Sequence, residues 1–277
     1  MAYNRILSIQ DISGVGQCSL TVALPILSAC GQETSILPSA VLSTHTGGFT
    51  GYTFRDLTDD MPAIEAHWKK EVLDFAALYT GYLGSEKQID YVKSIADSLL
   101  REGAPFIVDP AMADAGKLYP GFDEAFAKAM GRLAFSADII LPNITEACLI
   151  TETEYREDYD RAFINELLAK LTERGAKTVI LTGISYSPET TGVVVFENGE
   201  YAYYEHERLE RGSHGTGDVY SSTFVGALMN GHSVFDSARI AADFTLRCIK
   251  RTHTLDNHWY GPAFEPELGW LINELAK

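Results

Sequence analysis

Arg211-Gly212-Ser213-His214-Gly215-Thr216-Gly217-Asp218-Val219-Tyr220-Ser221-Ser222-Thr223-Phe224-Val225-Gly226-Ala227-Leu228-Met229-Asn230 is the stretch on which the reading of this chain turns. Gly212, Gly215 and Gly217 mark a loop. The small and apolar residues after it predict a buried helix, and Asn230-Gly231 supplies its stop signal. A loop that enters a helix through glycines presents free backbone N–H groups at the positive end of the helix dipole. That setting favours an anion such as phosphate. Asp218 falls at the same junction, where it has two readings. It caps the helix, as first-turn aspartates commonly do. Alternatively, beside a bound phosphate, it is the base for a hydroxyl that attacks phosphorus.

Upstream, apolar strands alternate with helical patterns. Residues 6–10 read as a short strand entering Asp11-Ile12-Ser13-Gly14-Val15-Gly16, with a helix over 19–29 that stops at Gly31. Residues 34–37 form a second strand, and the Gly- and Thr-rich stretch 43–52 reads as a loop over the scaffold. His45 in that loop is open to use as a base, as a stacking partner or as a structural residue. Strands over 75–80 and 106–108 flank a helix over 86–101, and the second strand ends at Asp109-Pro110. Asp114 follows in a polar loop, and a helix is expected over 121–136. The strand 138–141 ends in Pro142-Asn143-Ile144-Thr145-Glu146, where Thr145 is placed to cap a helix starting at Glu146. Asp109 and Glu146 both follow strand ends, which brings two hard oxygen donors to one sheet edge, as Mg²⁺ with phosphates requires. An amphipathic helix over 159–174 precedes a strand over 177–182. Asn198-Gly199 joins two apolar runs, 192–196 and 201–204, and signals a hairpin. Helices over 234–251 and 268–276 close the pattern.

The fold class expected is α/β: a three-layer αβα sandwich, with a mostly parallel central sheet, helices on both faces and a late antiparallel hairpin. Residues 1–277 read as one domain, without repeat or linker. A net charge of -16 and the lack of any basic run argue against nucleic acid. An acidic surface also repels nucleotides, so an ATP site here needs backbone donors, metal ions or a few Lys/Arg. Cys18, Cys30, Cys148 and Cys248 form no CxxC pair, so free thiols are expected rather than zinc or disulfides. Neither a leader pattern nor a membrane-spanning run is read, and a cytoplasmic location is expected.

The ordered segments resemble the pyridoxal kinases, a branch of the ribokinase-like superfamily. Gly215-Thr216-Gly217-Asp218 is similar to the anion-hole motif. Leu7-Ser8-Ile9-Gln10 is similar to the opening strand, Thr44-His45-Thr46-Gly47 to the Asn-His-Thr loop, and Thr80-Gly81-Tyr82 to the Thr/Ser-Gly-Tyr turn. Asp109-Pro110 with Asp114 resembles the metal and phosphate loop. The run from Ala137 to Glu146 resembles Asp-Ile-x-x-Pro-Asn-x-x-Glu, and Leu181-Thr182-Gly183 the strand end near ATP. The resemblance implies ATP-dependent phosphorylation of a vitamin B6 5′-hydroxymethyl group with Asp218 as catalytic base. It implies an anion hole of Gly215, Thr216 and Gly217. Asp109, Asp114, Asn143 and Thr182 would attend the phosphates, with Mg²⁺ on Asp109 and Glu146 directly or through water. Asp11, His45, Thr46 and Tyr82 would frame the ring. K⁺ beside Mg²⁺ is left open, and a homodimer is implied because relatives form dimers.

Two departures bear on the ring. Asp11 stands where the pyridoxal kinases usually carry Ser, and leans toward the Asp-Ser-Ser-Gly-Gly opening of the hydroxymethylpyrimidine kinases. Leu141 stands where some relatives have Thr. The competing readings are therefore a hydroxymethylpyrimidine kinase, a catalytically silent vitamer-binding protein, and an NAD-binding oxidoreductase using Gly14-x-Gly16 with Glu33. The last lacks the third glycine, Ser19 taking its place. No Walker motif is present, which excludes a P-loop kinase.

Overall fold

The computed structural model describes residues 4–209 and 214–277, so Arg211, Gly212 and Ser213 of the stretch quoted above lie outside the described residues. The first half of the chain contributes β1 (Arg5–Ser13), α1 (Leu20–Ala29), β2 (Glu33–Leu42), β3 (Phe54–Asp56), α2 (Met61–Lys70), β4 (Ala77–Thr80), α3 (Glu86–Leu99) and β5 (Phe106–Val108). A small hairpin, β6 (Ala113–Asp114) and β7 (Lys117–Leu118), precedes α4 (Glu124–Ser136), β8 (Ile139–Ile140), α5 (Ile144–Thr151) and α6 (Arg161–Glu173). The remainder is β9 (Thr178–Ser187), β10 (Thr190–Glu197), β11 (Glu200–Glu207), α7 (Thr216–Met229), α8 (Val234–Thr252) and α9 (Leu268–Leu275).

One sheet of nine strands runs in the order β11-β10-β9-β8-β5-β4-β1-β2-β3. The pairings from β2 through β1, β4, β5 and β8 to β9 are all parallel. The edge strands β3 and β11, and β10 next to β11, are antiparallel to their neighbours. Period-two alternation sends side chains to two buried faces. Leu7, Ile9, Leu78, Phe106, Val108 and Ile140 join the core under α3–α6. Ile6, Ala77, Tyr79, Ile107 and Ile139 face α1, α7 and α8 on the other side. The α6 stripe of Phe163, Ile164, Leu167, Leu168 and Leu171 is fully covered, each side chain contributing about 1.5–3 kcal/mol. The three-layer αβα expectation thus holds, with the late hairpin where Asn198-Gly199 placed it. Both residues have positive φ (54° and 85°), as a type I′ turn needs.

Several boundaries differ for a local reason. The helices expected from 121 and 159 begin later, at Glu124 and Arg161, because Asp123 and Asp160 each accept the N–H three residues on and act as N-caps. Asn143, not Thr145, caps α5, in a capping box with Glu146 at its third position. Among the described residues, the cysteines are free thiols and no helix is long and apolar enough to cross a membrane.

Candidate active site

Because β1, β4, β5, β8 and β9 are parallel, their carboxyl ends share one edge of the sheet, where open α/β folds bind ligands. The amino terminus of α7 arrives at the same edge. Ser221 Oγ donates to Asp109 Oδ2 at 2.6 Å, tying this helix to the end of β5. Gly215 is the N-cap of α7 with φ 84°. A Cβ there would lie 1.8 Å from the Gln17 carbonyl oxygen, so only glycine fits. The first-turn N–H groups of Thr216, Gly217 and Asp218 have no partner within an α-helix. A Cβ at Gly217 would meet nothing within 4 Å, which leaves the space beside these donors open.

Four carboxyl groups feel one another here. Asp218 retains a small opening to solvent but is otherwise enclosed. Burial first, then the charges of Asp109 and Asp11, push its pKa up to about 7 against a backbone hydrogen bond from Ser19. Burial also raises Asp109, although the Ser221 hydroxyl and the Ala111 N–H both favour its charged form. Glu146 is raised by burial and then by Asp109. Asp11 is raised by burial, against hydrogen bonds from Ser19 and Ser13. The influences on these acids are burial, one another, His45 in the case of Asp11, and backbone or serine donors. Among the described residues no Lys or Arg is an influence on these acids, and a divalent cation would favour their charged forms.

The hard oxygens fit Mg²⁺ in kind. Among the described residues, no group of three or more His, Cys, Asp or Glu side chains is spaced to chelate a metal. A cation would therefore share its shell with phosphate and water. Glu146 is already occupied: Oε1 accepts from the Met112 and Ala113 N–H groups at 3.0 and 3.5 Å, and Oε2 from Asn143 at 2.9 Å. Asn143 is committed too, its amide bonding the Glu146 N–H and the Ala113 carbonyl. These contacts favour a role through water for Glu146 and a capping role for Asn143. The N–H and hydroxyl of Thr182 both donate to the Pro142 carbonyl, at 3.0 and 3.4 Å, which keeps this strand residue against the β8–α5 loop. Asp114 is exposed at the tip of the β6–β7 hairpin, accepting the Ala115 N–H at 2.8 Å.

At the other end of the corner, the β1–β2 register shifts between Gln10 and Ile12, an irregularity of the kind that re-aims side chains. Asp11 accepts the Ser13 hydroxyl at 2.9 Å, and its charge reaches the Tyr82 phenol. Burial and then Asp11 push the Tyr82 phenol up to about 12. Cys18 lies beside Asp218 and Asp11. Burial and both charges raise its thiol pKa, so it stays protonated and unreactive. Thr46 is exposed on the loop 43–52, while the buried Thr44 hydroxyl lacks a hydrogen-bond partner among the described residues.

His45 is buried and fully engaged. Nε2 lies 2.9 Å from the Tyr260 carbonyl, which can only accept, so Nε2 carries the proton. Nδ1 accepts the Gly47 N–H at 3.0 Å. With burial pulling its pKa down, the ring is neutral and has no free nitrogen to take a substrate proton. His45 is therefore not a base but a brace for the loop, edge-on to Phe49 at 5.0 Å. Gly16 permits that placement, since a Cβ there would fall 2.0 Å from the imidazole.

A model of the phosphomethylpyrimidine kinase family matches residues 53–263, more than half of the chain. The chain belongs to that family. A Bacteroides thetaiotaomicron protein provisionally named a phosphomethylpyrimidine kinase, crystallised with pyridoxal, is 35% identical, with a TM-score of 0.91 over 100% of this chain and 96% of that one. The pyridoxal kinase of Lactobacillus plantarum is 29% identical, with a TM-score of 0.90 over 98% of each chain. The hydroxymethylpyrimidine/phosphomethylpyrimidine kinase of Staphylococcus aureus (strain MSSA476) is 28% identical over 262 residues, 89% of this chain and 88% of the relative. The resemblance to the pyridoxal kinases and the ribokinase-like superfamily therefore holds, and the reaction class of the family is phosphoryl transfer to an alcohol.

For a member of this kinase family, the dinucleotide reading fails on geometry as well. Glu33 opens β2 and is paired with Arg5 at the start of β1, at 3.0 Å. That is the amino end of the strands, away from the site, whereas a ribose acid belongs at the carboxyl end. Two residues of the corner carried no sequence signal. Ser221 looks like any small residue of a buried helix. Tyr119, after the β6–β7 hairpin, is raised by burial and by Glu146, Asp114, Asp109 and Asp218, so its phenol overlooks the acids.

Proposed function

We propose that this kinase transfers the γ-phosphoryl group of ATP to the hydroxymethyl group of a B6 vitamer. The observation that carries the reading is Asp218 at the mouth of an open, glycine-lined helix terminus, next to Asp109. The Thr216, Gly217 and Asp218 N–H groups hold the migrating phosphoryl oxygens, where charge is spread in the transition state. The Asp218 carboxylate accepts the hydroxyl proton of the acceptor. Asp109, with Glu146 acting through water, would hold Mg²⁺, and Tyr119 and Asp114 would border the nucleotide. When bound, Mg²⁺ neutralises phosphate charge that this acidic corner would otherwise repel. Asp11 and Tyr82 meet the ring, while His45 fixes the loop that carries Thr46.

The choice of ring is supported by the relative crystallised with pyridoxal. A second reading, hydroxymethylpyrimidine as acceptor, draws support from the family model and from Asp11, whose carboxyl is suited to an exocyclic amine. Coupled ADP-release assays with pyridoxal, pyridoxamine, pyridoxine and hydroxymethylpyrimidine separate the two. The vitamers should give the higher kcat/KM, and a clear preference for the pyrimidine refutes this ring assignment.

The pH profile gives an independent check. The base must be ionised, and its pKa is raised to about 7. Hence kcat/KM should rise with pH through a limb near 7 and level off above it. A limb near pH 4, where an ordinary aspartate titrates, argues against Asp218 as that base.

A further inference from the structure

Ser221 behaves unlike its neighbours on α7. A buried hydroxyl in a helix ordinarily bonds the carbonyl four residues back, as Thr223 does to Val219 at 2.7 Å. Ser221, almost completely buried, instead reaches out of the helix to Asp109 Oδ2 at 2.6 Å. It lies three residues after Asp218, on the same side of the helix. The ground beneath is polar as well. Tyr79 is fully buried, its phenol set against Ser221 and Ser222 and in the field of both Asp109 and Asp218. Its hydroxyl comes close enough to Ser222 and Ser221 to interact with both, but neither it nor the Ser222 hydroxyl makes a well-aligned hydrogen bond among the described residues. Ser8, paired with Tyr79 across β1 and β4, accepts from Gln10 at 3.0 Å. Apolar side chains would fill this floor at lower desolvation cost, so packing alone does not account for it.

We propose that Ser221 is a positioning residue: it fixes the Asp109 carboxylate relative to the α7 terminus, so that the lone pairs left to Asp109 point at Mg²⁺·ATP. With Ala111 holding Oδ1 and Ser221 holding Oδ2, the acid is clamped at both oxygens. The strut also couples two otherwise independent parts, the β5 acid and the helix bearing Asp218. This inference rests on the kinase reading above. It goes beyond that reading by assigning an orienting role to a residue that touches neither substrate.

The test is calorimetric titration of ATP with and without Mg²⁺, on the wild type, Ser221→Ala, Asp109→Asn and the double variant. Ser221→Ala should weaken Mg²⁺·ATP binding about 10-fold, in the range of second-layer changes at metal sites, and leave binding of metal-free ATP unchanged. Added to Asp109→Asn, it should have little further effect, because it acts through that carboxylate. Ser222→Ala, which removes the adjacent hydroxyl but no bond to Asp109, should bind like the wild type. Equal loss with and without Mg²⁺, full additivity in the double variant, or wild-type binding by Ser221→Ala overturns the proposal. A wild type that binds Mg²⁺·ATP yet phosphorylates no ring alcohol refutes the functional reading, and the strut is then still decided by the same titrations.

Discussion

Asparagine in place of Asp218 is expected to lower kcat by about 100–10,000-fold, the usual loss for a general base, with little change in nucleotide affinity. The same change should make the ligand-free protein more stable. Asp218 titrates at about 7 when folded against an ordinary value of 3.8, so the folded chain prefers the neutral acid. Below both values the residue has no differential effect. Between about pH 4 and 7 the folded state holds a proton that the unfolded chain has lost, so stability falls with rising pH and then levels. At pH 8 asparagine should therefore recover about 1–4 kcal/mol, raising the melting temperature by several degrees. Thermal unfolding at pH 5 and pH 8 checks this, because the gain must be larger at the higher pH. Near-normal turnover, or a gain independent of pH, would reduce Asp218 to a helix cap.

Gly215→Ala is expected to be the most damaging single-methyl change in the corner. The added Cβ meets main-chain oxygen at 1.8 Å, and the φ of 84° is one that alanine adopts only with strain. Rotamer changes cannot relieve a backbone contact, so α7 or the Gln17 segment must shift. Loss of about 2 kcal/mol or more is expected, together with a fall in kcat of about 100-fold as the donors leave their places. Gly217→Ala is the control: its Cβ meets nothing, so the melting temperature should hold while any kinetic loss reports occupation of the open space. Wild-type turnover by Gly215→Ala would mean that the phosphoryl group is bound elsewhere.

What could be read from the sequence was what local chemistry decides. Alternating apolar runs gave the parallel strands, Asn198-Gly199 gave the hairpin, and glycines before an apolar run gave the start of α7. Elements with little buried surface were lost. The helix α2 is short and turns only Met61, Ile64 and Trp68 to the core beside the buried Glu65, and β3 is three exposed residues, so their apolar signal is thin. Asn143 and Thr145 are both good cap residues by type; the extended backbone at Asn143 and its bond from the Glu146 N–H decide between them. Roles set by distant partners were hidden too. His45 is spent on a carbonyl 215 residues away, and Ser221 on an acid 112 residues away. No spacing rule reaches that far.

The Tyr260 carbonyl accepts from both His45 and Gln17, and a Cβ at Gly261 would fall 2.4 Å from the Gln17 side chain. The early turn and loop are therefore held by residues synthesised long after them. The shape of the ligand edge thus depends on a closure between distant parts of the chain, which local strand and helix pairing does not supply.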